Sequence, residues 1–283
     1  MTILSELVSQ YSKRPLWARK GYGGRVLVVG GSRKYSGSPI FNAMAALRAG
    51  ADLVTLAGHP RAMDAAASYA PDLITVPLNS ELLPHHLGEI RDLEGQADAL
   101  VIGGGLMRQE ETYRAIREII TASDLPMVID AEAIRAVAEQ PEILNGKKAV
   151  VTPHDEEFRV LTGELPEPEL TGRERKVSFY AAQIGAVILL KGHIDIVSNG
   201  AQTELNNSGT PLMTKGGLGD VLSGILAAFL ARGMAPWQAA LGAAYVNGRA
   251  GELAAEHYNE GMIAGDVLNY IPEVFKEWQG EGR

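Results

Sequence analysis

Short, continuous apolar runs recur along the chain, and several end directly in glycine or in a residue of catalytic type. Arg25–Val29 runs into Gly30-Gly31-Ser32, Ala99–Ile102 into Gly103-Gly104-Gly105, and Met127–Ile129 into Asp130. Ala149–Val151 precedes Thr152-Pro153-His154, and Val187–Leu190 precedes Lys191-Gly192. Runs apolar at every position predict strands buried on both faces, as in a parallel sheet. Helical spacing predicts helices between them, over about Pro39–Ala49, Pro60–Tyr69, Glu110–Thr121, Ala131–Glu139 and Arg173–Ile184. Strand and helix in alternation predict an α/β sandwich with helices on both faces of the sheet. Ligands in such folds bind beyond the carboxyl ends of the strands, which places these Gly-rich segments on one edge.

Composition narrows the functional classes. The 283 residues are 46% hydrophobic and 21% charged, enough for a sizeable core, and no linker or repeat divides them. The only loop-like stretch, Gly163–Gly172, is too short to separate domains, so one domain over 1–283 is expected, with 1–19 as an amphipathic, helical N-terminal extension. Cysteine is absent, which excludes disulfides, thiolate nucleophiles and Cys-ligated metals. Lys and Arg number 26 against 34 acids, a net charge of -8, and no basic tract offers a nucleic-acid or anionic-lipid surface. The first residues lack a signal-peptide h-region, and Val26–Val29, Ala186–Leu190 and Ile225–Ala231 are too short to span a bilayer. The expectation is a cytoplasmic protein with neither membrane nor nucleic-acid partners.

Standard nucleotide loops are missing. Gly103-x-Gly105 has Arg108 where a dinucleotide fingerprint needs its third glycine, and Gly217-x-Gly219 has Leu222. Gly146-Lys147, the one Gly-Lys pair, lacks the other residues of a P-loop, and the six histidines show no zinc spacing. The strongest local pattern is GTPLMTKGGLGDVLSGILAAFLAR at 209–232. Val221, Leu222, Ile225, Leu226, Phe229 and Leu230 make one helical face, which predicts a helix beginning near Gly219-Asp220. The amides of Gly216, Gly217, Leu218 and Gly219 precede it, and glycine lets an anion approach a helix N-terminus closely. Asp220 in the first turn is then either a simple N-cap or the group that accepts a proton from a hydroxyl attacking phosphorus. The dipole is expected to lower its pKa, so that it orients the hydroxyl as much as it deprotonates it.

GGLGDVLSG resembles the anion-hole motif of the ribokinase-like superfamily. The ordered set of motifs is similar to the ADP- or ATP-dependent NAD(P)H-hydrate dehydratases over about residues 20–275. KGYGGRVLVVGGS at 20–32, Tyr35-Ser36-Gly37 and AALRAGAD at 45–52 resemble the family's first segment. VIGGGL (101–106), VIDAEAI (128–134), VTPHDEE (151–157) and LLKG (189–192) resemble its glycine-turn, DADAL, TPHxxE and LKG elements. Asn206-x-x-Gly209 and GMIAGDVLNYIP at 261–272 match its N-x-x-G and C-terminal signatures.

The resemblance implies a ribokinase-like three-layer sandwich with a mostly parallel sheet. It also implies ADP-dependent, or alternatively ATP-dependent, dehydration of the S-epimer of NADH-hydrate and NADPH-hydrate. The hydroxyl is phosphorylated, phosphate is eliminated, and AMP (or ADP) and phosphate leave. Asp220 matches the catalytic carboxylate at the hydrated ring. Ser38, where the family usually has Ala, Gly105 and His154 match positions that face the hydrate. Lys191, Gly192, His193, Ile194 and Asp195, with Gly216, Gly217, Leu218 and Gly219, match the adenine-nucleotide site. Mg²⁺ is the expected charge-neutralising ion, with Glu156 and Glu157 as water-mediated ligand candidates, and a homo-oligomer, a tetramer in preference, is the expected assembly. The bifunctional relatives carry an epimerase half ahead of this domain, and only about twenty residues precede the match here, so no epimerase activity is expected.

Each residue has a plainer reading. His154 suits a loop or N-cap, Lys191 a solvated surface, Gly103–Gly105 a tight turn, and Glu156 and Glu157 a solvated acidic face, while Asp130 at its strand end suits a metal or phosphate shell and an N-cap for a helix at Ala131 equally well. Asp266 reads as structural capping, and the small-residue stretch 236–254 suits either core packing or a subunit interface. Leu218 stands where the family has Ser or Thr, Met107 where it has glycine, Glu132 for the second Asp of DADAL, and Asp155-Glu156 for Pro-Gly. Lys215 is positioned in sequence to compensate for the hydroxyl lost at 218. The competing classes are a ribokinase-like kinase of a small alcohol, such as a hydroxyethylthiazole or sugar kinase, and a non-catalytic nucleotide-binding protein.

Overall fold

The computed structural model describes residues 14–280, and side chains from Arg14 to Ile271 and on to Glu277. Nine strands form one sheet in the order β3-β2-β1-β4-β5-β6-β7-β8-β9. They are β1 (Arg25–Val29), β2 (Leu53–Gly58), β3 (Ile74–Pro77), β4 (Ala99–Ile102), β5 (Met127–Ile129), β6 (Ala149–Val151), β7 (Val187–Leu190), β8 (Asp195–Ser198) and β9 (Thr203–Asn206). β1 to β7 are mutually parallel, and β8 and β9 close the far edge as antiparallel neighbours.

Because successive strand residues point to opposite faces, each apolar run feeds two cores. Val26 and Val28 join one, and Leu27 and Val29 the other. The first core is completed by α1 (Gly37–Arg48), α2 (Pro60–Tyr69), α8 (Leu218–Ala231), α9 (Pro236–Tyr258) and α10 (Ala264–Gly280). The second is completed by α3 (Leu87–Glu94), α4 (Glu110–Ala122), α5 (Glu132–Ala138), α6 (Asp155–Thr162) and α7 (Leu170–Ile184). The expected three-layer α/β sandwich is therefore present.

Several local expectations are corrected. α8 is buried on all sides over Val221–Leu230, Ser223 and Gly224 included, because it lies between α1, α9 and the sheet rather than on a surface. It begins at Leu218, since Gly217, at φ 95°, makes the N-cap turn one step ahead of the expected start. The helix expected at Ala131 begins at Glu132, with Ala131 itself at φ 49°. Residues 14–19 form turn and irregular structure; residues 1–13 of the expected helical extension lie outside the described residues. The small residues of α9 serve core packing: Ala239, Ala240, Gly242, Ala243, Gly248 and Gly251 are buried.

Candidate active site

The carboxyl ends of β5, β6 and β7 and the start of α8 converge on one cleft of ≈ 880 Å³. Its chemistry begins with Asp130, which follows β5 and is almost completely buried. Its Oδ1 accepts from Thr152 Oγ1 at 2.8 Å and from Lys191 Nζ at 3.2 Å, and its Oδ2 accepts from Ser223 Oγ at 2.9 Å. The N-cap reading of Asp130 therefore fails: its carboxylate turns away from α5 to three donors on other elements. The chain leaves β5 through Ala131, whose positive φ is a strained conformation for a residue with a Cβ. That strain sits at the cleft wall, which Ala131 lines.

Lys191, at the end of β7, is not a solvated surface charge. Its ammonium lies 3.2 Å from Asp130 Oδ1 and 3.6 Å from Glu157 Oε2. Burial pulls its pKa down, but the Asp130 and Glu157 carboxylates outweigh burial and hold it above its ordinary value. A Cβ on Gly219 would come within 3.2 Å of Nζ, so this ammonium lies close against the first turn of α8.

His154 does cap α6. Its Nδ1 accepts from Glu156 N at 3.1 Å and Glu157 N at 3.3 Å, while Glu157 Oε2 accepts from His154 N at 2.9 Å, a reciprocal capping box. The capping turn also carries His154 and Glu157 to the cleft wall, so capping and site membership coincide. Asp155 and Glu156, by contrast, pair outward with Arg173 and Arg159.

Asp220 follows Gly219 in the first turn of α8. Ser38 lowers the pKa of its side chain, and Asn42 Nδ2 donates to its backbone carbonyl at 2.8 Å. A Cβ on Gly104 would lie 3.2 Å from Asp220 Oδ1, so the glycine turn after β4 packs close to this carboxyl. The expected depression of its pKa by the helix dipole is overturned. Burial, then the Asp130 charge, with a contribution from Glu157, raise the carboxyl to about 7 against the lowering effects of Ser38 and Lys191. A group poised near neutrality is a proton acceptor as well as an orienting group.

The cleft brings together Ser38, His154, Lys191, Gly192, His193, Asp195, Gly216, Gly217, Leu218, Gly219 and Asp220. Two expected residues are not among its lining: Ile194, in the β7–β8 turn, and Gly105, which packs behind Ser38, a Cβ there meeting Ser38 Cβ at 3.3 Å. Asp195 holds the β7–β8 turn by accepting from Gly192 N at 3.0 Å and Asn206 Nδ2 at 3.0 Å, and burial raises its pKa. Lys215 lines the cleft, but its ammonium donates to the Glu260 carbonyl, which withdraws it from the compensating role expected of it. Asp266 accepts from Ile263 N at 2.8 Å, the capping expected of it. Sequence reasoning missed Thr152 and Ser223 as partners of Asp130, and Asn207, Ser208 and Asn247 as cleft lining. Ser223 carried a signal: it stands three residues after Asp220, a hydroxyl on an otherwise apolar helix.

The donor set does not make a metal cage. Both oxygens of Asp130 accept from protein donors, Glu157 is bound into the α6 cap, and no group of three acidic or histidine side chains among the described residues is arranged around one point.

The sequence family described as NAD(P)H-hydrate dehydratase (Carb_kinase) matches residues 26–273 of this chain. The chain belongs to the NAD(P)H-hydrate dehydratase family. Among relatives of this family, the ADP-dependent (S)-NAD(P)H-hydrate dehydratase of Cenarchaeum symbiosum is 42% identical over 264 residues, 92% of this chain and 91% of that protein. The bifunctional NAD(P)H-hydrate repair enzyme of Pyrobaculum aerophilum is 42% identical over 271 residues, 93% of this chain but 53% of its own. The chain thus spans about half the length of the bifunctional dehydratases it matches. In fold, it is similar to the ADP/ATP-dependent NAD(P)H-hydrate dehydratase of Bacillus subtilis co-crystallised with ATP and Mg²⁺, at a TM-score of 0.79 and 22% identity over 97% of both chains. No helix among the described residues is long and apolar enough to cross a membrane.

Proposed function

We propose that this chain dehydrates the S-epimer of NADH-hydrate and NADPH-hydrate at the expense of ADP, restoring the dihydronicotinamide and releasing AMP and phosphate. The observation that carries the reading is Asp220. It is a carboxyl raised to about 7, set beside glycine-rich amides at a helix N-terminus and faced by the Lys191 ammonium. A nucleotide phosphate fits against the N–H groups of Gly217, Leu218 and Gly219, which have no intrahelical partners at the start of α8. Lys191 reaches the same place from β7.

In the first step Asp220 takes the proton of the ring hydroxyl as that oxygen bonds the terminal phosphorus. The bond from phosphorus to the bridging oxygen breaks, and its electron pair leaves with AMP. In the second step the ring nitrogen lone pair expels phosphate from the neighbouring carbon, and loss of a proton from the next carbon restores the double bond. Ser38 and His154 face the hydrated ring in this arrangement, with Gly105 supporting Ser38 from behind. The strand-end residues Lys191–Asp195 and the 216–219 loop hold the nucleotide.

Asp130, Glu157, Asp195 and Asp220 line the cleft with Lys191, while the Lys215 ammonium turns to the Glu260 carbonyl. That excess of negative charge favours Mg²⁺ carried in on the nucleotide phosphates and hydrated for the most part, rather than a resident ion. When bound, the ion neutralises phosphate charge; Glu157 is the candidate for a water-mediated contact. A single continuous sheet supports one catalytic unit, and the reading extends to a cytoplasmic homo-oligomer, a tetramer in preference, for which the exposed Leu16 and Trp17 offer apolar surface.

Product analysis tests the proposal. Equal amounts of AMP, phosphate and dihydronicotinamide are expected from hydrate and ADP. Accumulation of a phosphorylated alcohol without phosphate release would instead indicate a small-alcohol kinase.

A further inference from the structure

We infer that Asn42 is a positioning residue for Asp220, holding the first turn of α8 at the one place from which its carboxyl reaches the substrate hydroxyl. Asn42 lies in the middle of α1, is 1% exposed, and does not itself line the cleft. Its Nδ2 donates to the Asp220 carbonyl at 2.8 Å, while Ser38, one turn earlier on the same face of α1, acts on the Asp220 side chain and lowers its pKa. α1 therefore holds this residue by its backbone through Asn42 and influences its carboxyl through Ser38.

The helix crossing is built for that grip. Gly224, four residues after Asp220, lies against the Asn42 carbonyl, and a Cβ there would strike that carbonyl and lie 2.7 Å from Ala45 Cβ. The backbones of α1 and α8 thus approach closely enough for the short amide of Asn42 to reach across.

Packing alone does not account for an amide at this position. Asn42 Oδ1 is buried with no hydrogen-bond partner among the described residues, and a buried polar atom left unpaired is a standing cost that calls for an explanation. An apolar side chain of the same size would avoid it. The orphaned oxygen and the catalytic carboxyl also share a neighbour in Gly104, since a Cβ there would be 3.0 Å from Asn42 Oδ1 and 3.2 Å from Asp220 Oδ1. The amide is retained for what its other end does.

The inference rests on the proposed role of Asp220, and its test separates the two. Asn42→Leu removes donor and orphaned acceptor together while keeping side-chain volume; Asn42→Ala removes the volume as well. For Asn42→Leu the expected result is a kcat at least tenfold lower, KM for ADP within twofold of the parent chain, and an unchanged or higher Tm. The Asp220 carboxyl, followed by ¹³C NMR in the absence of substrate, is expected to titrate at least half a pH unit lower, because a released first turn lets water reach it. If Asn42→Leu keeps kcat within threefold and the Asp220 titration is unmoved, or if both variants lose activity only in step with Tm, the positioning role is overturned. If the parent chain does not turn over the hydrate, the dehydratase reading fails, and the Asp220 titration alone still decides the place of Asn42.

Discussion

Lys191 Nζ lies 3.2 Å from Asp130 Oδ1, an ion pair that joins the ends of β7 and β5 across the intervening strand β6. Residues 61 positions apart thereby set the charge felt by a third group, Asp220, which Asp130 pushes up and Lys191 pulls down.

Asp130→Asn removes the carboxylate that helps raise Asp220. The acid limb of kcat/KM, which lies near pH 7 if Asp220 must be ionised to act, is expected about one pH unit lower. A pH–rate profile of the variant checks this. An unmoved limb would mean that Asp130 acts on Lys191 alone.

Asp220→Asn is expected to lower kcat by roughly 10²–10⁴-fold, the span for loss of a general base, while ADP binding stays within about threefold. Stability gives an independent reading. The folded carboxyl is raised to about 7 from an ordinary value of 3.8, so the native state binds its proton more tightly than the unfolded chain. Its contribution is therefore fully present below pH 4 and is lost as pH rises through about 7. Asp220→Asn should raise Tm relative to the parent chain at pH 8 and change it little at pH 4. Equal Tm differences at both values would contradict the raised pKa.

Gly103→Ala tests the architecture beneath the site. Gly103 has φ +127°, and a Cβ there would collide with the Asp130 carbonyl. Backbone strain and the clash together are expected to cost about 3 kcal/mol, lowering Tm by several degrees and loosening Asp130. Thermal unfolding followed by circular dichroism measures it. A variant as stable as the parent would mean that the β4 turn relaxes freely.

Leu218→Ser places a hydroxyl among the amides at the start of α8, where Leu218 is buried at the cleft wall. ADP is expected to bind equally well or up to about tenfold more tightly, a single hydrogen bond to a charged group. Titration calorimetry reads this directly, and sharply weaker binding would show that Leu218 serves the nucleotide through apolar contact.

Much of this was legible because the chain writes its central strands as apolar runs. β1, β4, β5, β6 and β7 occupy the ranges that those runs predict, and each ends at the expected chemical residue. The edge strands were not so written. β3 (Ile74–Pro77) is a partly exposed edge ending in proline, and β8 and β9 form an antiparallel hairpin with Asp195, Ser198, Thr203 and Glu204 among their residues. At the site, motif order singled out Asp220, Lys191 and His154, whose strand-end and helix-start positions are local features. Asn42, Thr152 and Ser223 matter through partners on other elements, and such partnerships arise only when the helices cross. The pKa of Asp220 was misjudged for the same reason: the dipole is local to α8, whereas burial and Asp130 come from the assembled fold.

The most direct test follows dihydronicotinamide absorbance after the chain is mixed with Mg²⁺ and S-NADH-hydrate, with ADP and ATP in parallel. The account predicts recovery of the absorbance with ADP, and none with Asp220→Asn. No recovery with either nucleotide, from a chain shown to bind ADP, would contradict it.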